Sequence, residues 1–306
     1  MKLRLTIALG ALAFLPALFA VSCSSNNNGT TMIAIDDGDE NSVETKKDSA
    51  TNELTLDYYR SRQNRNDNIA TDRPTEPQTI ESNASTNASA TLESRFKFSE
   101  PRALFNGRDL NGWVGPTGDA PKGWVVQSQA LCLTDPENGE DILTQESFQD
   151  YVLTFEWRFG RECNSGVKYK IQSNGKSWGG LEYQIQDDAN VEDGKIAKRT
   201  IASLFDVLPA KKSSKAEEFP EPQNKEPCGE FRRGKIVVVG SQVEHWIDDE
   251  LVLAFTIGDP EWTNAKNESK FKNSKNFGLT QNSPILFQAH GSPVEFKEIA
   301  IQTLEK

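Results

Sequence analysis

Histidine and cysteine are scarce in this chain of 306 residues: it has two His and four Cys. No Cys-x-x-Cys and no paired-His motif occurs, which argues against a structural zinc site. Also missing are a Gly-rich phosphate loop, a dinucleotide fingerprint and a Ser-His-Asp signature. Neither metal nor cofactor is therefore expected. Basic clusters are absent as well. Lys and Arg number 34 against 45 Asp and Glu, a net charge of −11, so nucleic acid is not an expected partner. No helix-length amphipathic pattern stands out. Between residues 24 and 95 the only aromatics are Tyr58 and Tyr59, in a background of Asn, Ser, Thr, Asp and Glu. Such a segment cannot bury enough apolar surface to offset its ordering entropy. Residues 23–95 read as a disordered tether, with at most a short helix over Asn52–Arg62.

What is present begins with Lys2 and Arg4, then the apolar run Leu5–Ala20 ahead of Cys23. A charged start, a short apolar stretch and small residues make a secretory signal over residues 1–22. The run is interrupted by Pro16 and falls short of the roughly 20 residues that a spanning helix needs. Ala20-Val21-Ser22-Cys23 resembles the bacterial lipoprotein signal, with Cys23 as the lipidated residue. The expectation is a cell-envelope protein that meets the membrane only through its lipid anchor. Cys132, Cys163 and Cys228 then remain, so at most one disulfide forms.

From Phe96 the composition changes, and all six Trp lie in this part. Runs of apolar and β-branched residues alternate with turn residues: Trp124–Gln127, Ala130–Thr134, Tyr151–Phe159, Gly166–Gln172, Leu181–Gln186, Lys235–Val239, Val243–Ile247, Glu250–Phe255, Pro284–Ala289 and Val294–Gln302. This spacing predicts an all-β sandwich or jelly roll over residues 96–306. Roughly 210 residues are enough for one stable core. The Lys/Glu/Pro-rich stretch Lys211–Gly229 reads as a long loop. Two of the runs carry unusual polar faces at period 2. Tyr151–Phe159 sets Thr154, Glu156 and Arg158 opposite Phe155, Trp157 and Phe159. Leu181–Asp187 sets Glu182, Gln184 and Gln186 opposite Leu181, Tyr183 and Ile185. Faces of Glu, Arg and Gln backed by aromatics suggest a groove for a hydroxyl-rich ligand.

Several segments in order resemble the 3-keto-disaccharide hydrolase domain family. They are Leu104–Trp113, Glu156-Trp157-Arg158, Asn164-Ser165-Gly166-Val167, Glu182–Asp188, Ser203–Ala210, Val243–Trp246 and Phe287–Ile299. The resemblance covers about residues 98–304. Where members usually carry Gly-Glu-Trp-Asn, this chain has Gly229-Glu230-Phe231-Arg232. The family implies a concanavalin A-like jelly roll of two antiparallel sheets, and action on glycosides already oxidised to a ketone at C3.

A C3 ketone acidifies the C2 hydrogen and leaves the C1 oxygen β to the carbonyl. A site for such a substrate needs a base, donors for an enolate oxygen and an acid for the leaving group. Glu182 is the first candidate base, and His290, in the closing motif, the candidate acid–base partner. Gln184 and Gln288 suit hydroxyl or carbonyl groups. Lys168 suits an enolate oxygen, Lys170 less so, and Glu156 and Arg158 either bind sugar hydroxyls or pair with each other. Trp178 follows a turn and either stacks on a sugar or packs in the core. His245 alternates with Val243 and Ile247 and faces the core. Asp187 and Asp188 end a strand, where the first reading is a turn cap and the others are Ca²⁺ binding through their oxygens or an arginine partner. The resulting expectation is an enzyme cleaving 3-keto-glycosides, with a carbohydrate substrate. Two alternatives stay open: a non-catalytic carbohydrate-binding lipoprotein, and an ordinary glycoside hydrolase using Glu156 and Glu182 about 5 to 9 Å apart. Oligomeric state is not legible.

Overall fold

The computed structural model describes residues 90–175, 177–216 and 221–305. The signal, Cys23 and residues 24–89 of the expected tether lie outside them. Thirteen strands are described: β1 (Arg102–Ala103), β2 (Trp113–Val114), β3 (Trp124–Gln127), β4 (Ala130–Leu133), β5 (Ile142–Thr144), β6 (Tyr151–Phe159), β7 (Asn164–Ser173), β8 (Trp178–Gln186), β9 (Arg232–Val239), β10 (Gln242–Ile247), β11 (Glu250–Thr256), β12 (Leu286–Phe287) and β13 (Val294–Thr303). They form two antiparallel sheets. The larger runs β11-β10-β9-β6-β13-β4-β3, with β1 beside β13; the smaller runs β2-β5-β12-β7-β8. This is the all-β, two-sheet sandwich expected from the strand spacing.

The alternating pattern explains which faces meet. Phe155 and Trp157 of β6, Tyr169 of β7, Tyr183 of β8, Phe287 of β12 and Phe296 of β13 are all fully buried between the sheets. Their rings interlock edge to face, with centroids 5.5 Å apart for Phe155–Tyr183 and 4.8 Å for Phe287–Phe296. Each large apolar side chain gains about 1.5–3 kcal/mol on burial. A slip of one residue would lose that gain and drive Glu182, Gln184 and Gln186 into the core, so the register is fixed.

Two short helices depart from the strand-only expectation. Helix α1 (Leu92–Arg95) lies within the stretch read as tether. Thr91 caps it, Leu92 buries itself against Val152 and Val237, and the Leu92 amide donates to Glu244 Oε1 at 2.8 Å. The folded part therefore includes residues before Phe96. Helix α2 (Pro260–Asn267) has Asp259 as N-cap, accepting from the Trp262 amide, and Pro at its first turn. Trp262 is its one buried residue, so it has no amphipathic stripe to read. Cys132 and Cys163 are buried and unbridged.

Candidate active site

The two polar faces read from the sequence lie on opposite sides of the molecule. Both strands turn their aromatics into the shared core, so their polar faces point outward from different sheets. Period 2 reveals alternation but not which sheet a strand joins. Glu156 therefore does not share a groove with Glu182, and the Glu156/Glu182 pairing is set aside. On the outer face of the large sheet Glu156 meets Lys297 at 3.4 Å and Arg233 at 3.6 Å. Arg158 bonds Glu295 at 2.6 Å and stacks on Phe231, whose ring also carries Lys297. Phe231 thus keeps an aromatic role at the position where Trp is usual.

The outer face of the small sheet is different. Lys168 on β7 pairs in register with Glu182 on β8 and with Leu286 on β12. One row along, Gly166 pairs with Gln184, and its carbonyl accepts from the Gln288 amide at 2.9 Å. Gly166 leaves a gap in this row, and Glu182 leans into it. A Cβ on Gly166 would stand 2.7 Å from Glu182 Oε1. Across the gap the Gln288 side chain lies between Glu182 and Lys168. In the amide orientation that satisfies both neighbours, its nitrogen donates to Glu182 Oε1 at 3.2 Å and its oxygen accepts from Lys168 Nζ at 2.9 Å. Three of the expected residues thus form one contact chain.

The electrostatics follow from burial. Glu182 is 7% exposed. Desolvation raises its carboxyl above the ordinary carboxylate range, against the pull of Lys168, Lys270 and His290; the Asp141 carboxylate adds to the rise. Asp141 immediately precedes β5 and accepts from the Ala289 amide at 2.9 Å. Its own carboxyl is raised by burial, opposed by Lys168, the Ala289 amide and His290. His290 is exposed at the mouth, within electrostatic reach of both carboxylates. On the other side Ser203 and Phe205 bond along β8, and Asp206 then holds the Lys270 amide at 2.7 Å. Lys270 Nζ rests 4.0 Å from the Phe205 ring centroid; partial burial lowers its ammonium, against Glu182 and Asp206.

Gln184 is almost fully buried. Its nitrogen donates to Asn164 at 3.0 Å and to Gln186 at 2.7 Å, while its oxygen has no partner among the described residues. Trp178 is half-buried on the same outer face, over Leu143, Ile171 and Leu286, and donates to the Pro116 carbonyl at 2.9 Å. Lys170 is buried at a β-bulge and reaches the Thr280 carbonyl, away from the cluster. His245 is a core residue, held by the Tyr169 hydroxyl at 2.6 Å and the Ala202 carbonyl at 2.8 Å, and burial lowers it to about 4. Asp187 and Asp188 accept from the Glu162 and Ile201 amides, 25 and 13 positions away, so their side chains tie neighbouring segments to the end of β8. Among the described residues no group of three or more His, Cys, Asp or Glu is placed to hold a metal ion.

Sequence reasoning missed Asp141 and Lys270. Asp141 had a weak signal, the short run Asp141-Ile142-Leu143-Thr144 after the turn residues Asn138-Gly139. Lys270 had none, since Asp206 places it from 64 positions away. A cavity of about 590 Å³ lies elsewhere, between Trp157–Phe159, Asp187–Ala189 and the loop after Ala210. Arg158 and Asp188 are in its wall, but Glu182, Lys168 and Gln288 are not. The sheet-face cluster is the candidate site, because there an acid of raised pKa faces cations and an amide.

Known proteins resemble this chain in sequence and in fold. A 3-keto-disaccharide hydrolase of Bacteroides thetaiotaomicron is 29% identical over 235 residues, covering 66% of this chain and 78% of that protein. A crystal structure of a candidate glycosyl hydrolase from Parabacteroides distasonis superposes with a TM-score of 0.56 at 26% identity, covering 67% of this chain and 94% of that one. A second structure from the same organism, at 18% identity and a TM-score of 0.50, shares the fold. The model of the 3-keto-alpha-glucoside-1,2-lyase-like domain matches residues 100–302, about two thirds of the sequence, and the chain belongs to that family.

Proposed function

We propose that the outer face of the small sheet cleaves glycosides carrying a ketone at C3, by removal of the C2 proton and loss of the C1 substituent. Glu182 is the base. The observation that carries this is the Glu182–Gln288–Lys168 chain: a buried carboxylate of raised pKa, kept from direct pairing with the nearest ammonium by a neutral amide. Proton abstraction next to a ketone needs that combination of a strong base and a cation close to the developing enolate oxygen. Lys168 supplies the cation and Gln288 an adjustable hydrogen bond. Gln184 lies beneath this face, its nitrogen tied to Asn164 and Gln186. Trp178 offers an apolar face at one end of the groove. Water adding across C1–C2 of the resulting enone completes a net hydrolysis. The family's name supports an α-linked glucoside-type substrate. Lys2, Arg4, the apolar run and Cys23 support an envelope lipoprotein, for which Cys23→Ala should release the protein from membranes or block its processing.

The deciding experiment is parallel incubation of a 3-keto-disaccharide and its unoxidised parent in D2O, followed by NMR. The expected result is cleavage of the oxidised sugar alone, with deuterium entering C2. Equal cleavage of both would favour a two-carboxylate hydrolase, for which Asp141 rather than Glu156 shares the groove with Glu182. Binding without cleavage would leave a carbohydrate-binding module.

A further inference from the structure

Glu182 can take a proton, but expulsion of a sugar alkoxide also needs a proton donor. We infer that Asp141 is the general acid that protonates the departing glycosidic oxygen, while His290 stays at the mouth as an exposed rim residue. The inference rests on the function proposed above and deepens it. In the row Asp141–Gln288–Gly166–Gln184, Gln288 forms the floor and Gly166 the gap. Glu182 leans over that gap from the β8 side, and Asp141 rises on the β5 side, two strands beyond β7. The two carboxyl groups thus flank the Gln288 floor from opposite sides. A glucose-type chair has an axial hydrogen at C2, and an α-linked oxygen at C1 is axial on the opposite face. A ring standing edge-on over Gln288 would present its C2 hydrogen to Glu182 and its C1 oxygen to Asp141.

Asp141 is also held for the task. The Ala289 amide fixes Oδ1 at 2.9 Å, and Oδ2 makes no bond among the described residues. The titratable groups facing it are Lys168 from β7, Glu182 from β8 and His290 after β12. Burial keeps its proton affinity above the ordinary aspartate range even with two of those groups pulling it down. Glu182 takes the C2 hydrogen as a proton, and the C–H electrons form the C2–C3 enolate. They then move to make C1=C2 as the C1–O bond breaks, and the Asp141 proton goes to that oxygen. The products are the free aglycone and a C1=C2 enone. In the hydration half, the Asp141 carboxylate takes a proton from water adding at C1, and Glu182 returns a proton to C2. Both groups end as they began.

The test compares two 3-keto-α-glucosides, one with a sugar or methyl leaving group and one with p-nitrophenol, a leaving group needing no acid. Asp141→Asn keeps the shape and the bond from Ala289. It should lower kcat/KM about 10²-fold or more for the poor leaving group and less than about 5-fold for the aryl one. C2 deuterium exchange, which reports Glu182 alone, should persist. His290→Asn should show no such selectivity. An Asp141→Asn enzyme that loses both substrates and C2 exchange together would overturn the assignment, as would leaving-group selectivity appearing in His290→Asn instead. If Asp141→Asn does not fold, Asp141→Glu is read in the same two-substrate assay, and retained cleavage of both substrates is expected. Wild-type protein that neither exchanges C2 nor requires the ketone would instead reject the underlying function, so the two failures are distinguishable.

Discussion

Gly166→Ala is the sharpest probe of the site, because it adds one methyl group and touches no polar atom by chemistry. Gly166 lies in an ordinary extended strand, so alanine meets no conformational penalty there. The new Cβ would stand 2.7 Å from Glu182 Oε1, 3.0 Å from its Cγ and 3.1 Å from the Tyr183 carbonyl. To restore a 3.4 Å contact the carboxylate must retreat by roughly 0.7 Å. A misplacement of about 1 Å in a catalytic group costs on the order of 10²-fold. The expected loss in kcat is therefore about 10- to 100-fold. Stability should change by no more than about 1 kcal/mol, since removing a strand glycine offsets the crowding. The assay is cleavage of a 3-keto-disaccharide by NMR, with thermal unfolding in parallel. A double variant with Glu182→Gln should lose no more than Glu182→Gln alone, because both act through one carboxylate. Full activity in Gly166→Ala, or independent multiplication of the two losses, would refute the reasoning.

Three further outcomes follow from the same structure. Glu182→Gln should cut turnover about 10²-fold or more and yet stabilise the domain at neutral pH. The folded-state pKa of Glu182 is raised, so the folded protein loses stability as pH rises from the unfolded value through the folded one; urea unfolding of the two proteins should converge at pH 4 and separate at pH 7. His245 is depressed from 6.5 to about 4, so the stability tied to it is complete above pH 6.5 and is lost as pH falls toward 4, by roughly 3 kcal/mol; a flat pH response there would contradict its buried neutral state. Leu92→Ala should cost roughly 2–3 kcal/mol by chemical denaturation, and an unchanged midpoint would show that α1 is not part of the fold.

Most of the strands were legible because a two-sided sandwich writes alternation into its long strands. Tyr151–Phe159 and Trp124–Gln127 emerge with the expected bounds. What stayed hidden has physical causes. β5 is three residues long and fully buried, so it shows no alternation, and Asp141 next to it went unnoticed. α1 is a single turn whose one anchor, Leu92, sits in a polar background. The pairing of sheet faces depends on which strands hydrogen-bond, which residue patterns within single strands do not encode. Glu156 and Arg158 looked like site residues for that reason. The motif resemblance pointed to Glu182 and Gln288, and Lys168 stood out only as a cation following Asn164-Ser165-Gly166, but it takes the folded sheet to show the Gly166 gap that brings Glu182 over to Gln288.

The two outer faces contrast in how they treat charge, and the contrast yields a last prediction. On the large sheet, Arg158 bonds Glu295 directly and Glu156 sits between Arg233 and Lys297. There the carboxylates meet their cations directly, with nothing between them. On the small sheet Glu182 and Lys168 are register partners, yet the Gln288 amide stands between them. Interposing a neutral group lets Lys168 face the groove while leaving the proton affinity of Glu182 high. Gln288→Ala should remove that spacer, let the ammonium close on the carboxylate, and move the acidic limb of the kcat/KM profile to lower pH as turnover falls. Gln288→Glu places a like charge beside Glu182 and should move the same limb to higher pH. Opposite displacements would show that Gln288 sets the strength of the base. Displacement in one direction for both variants, or none, would reduce Gln288 to a packing residue and take the tuning away from it.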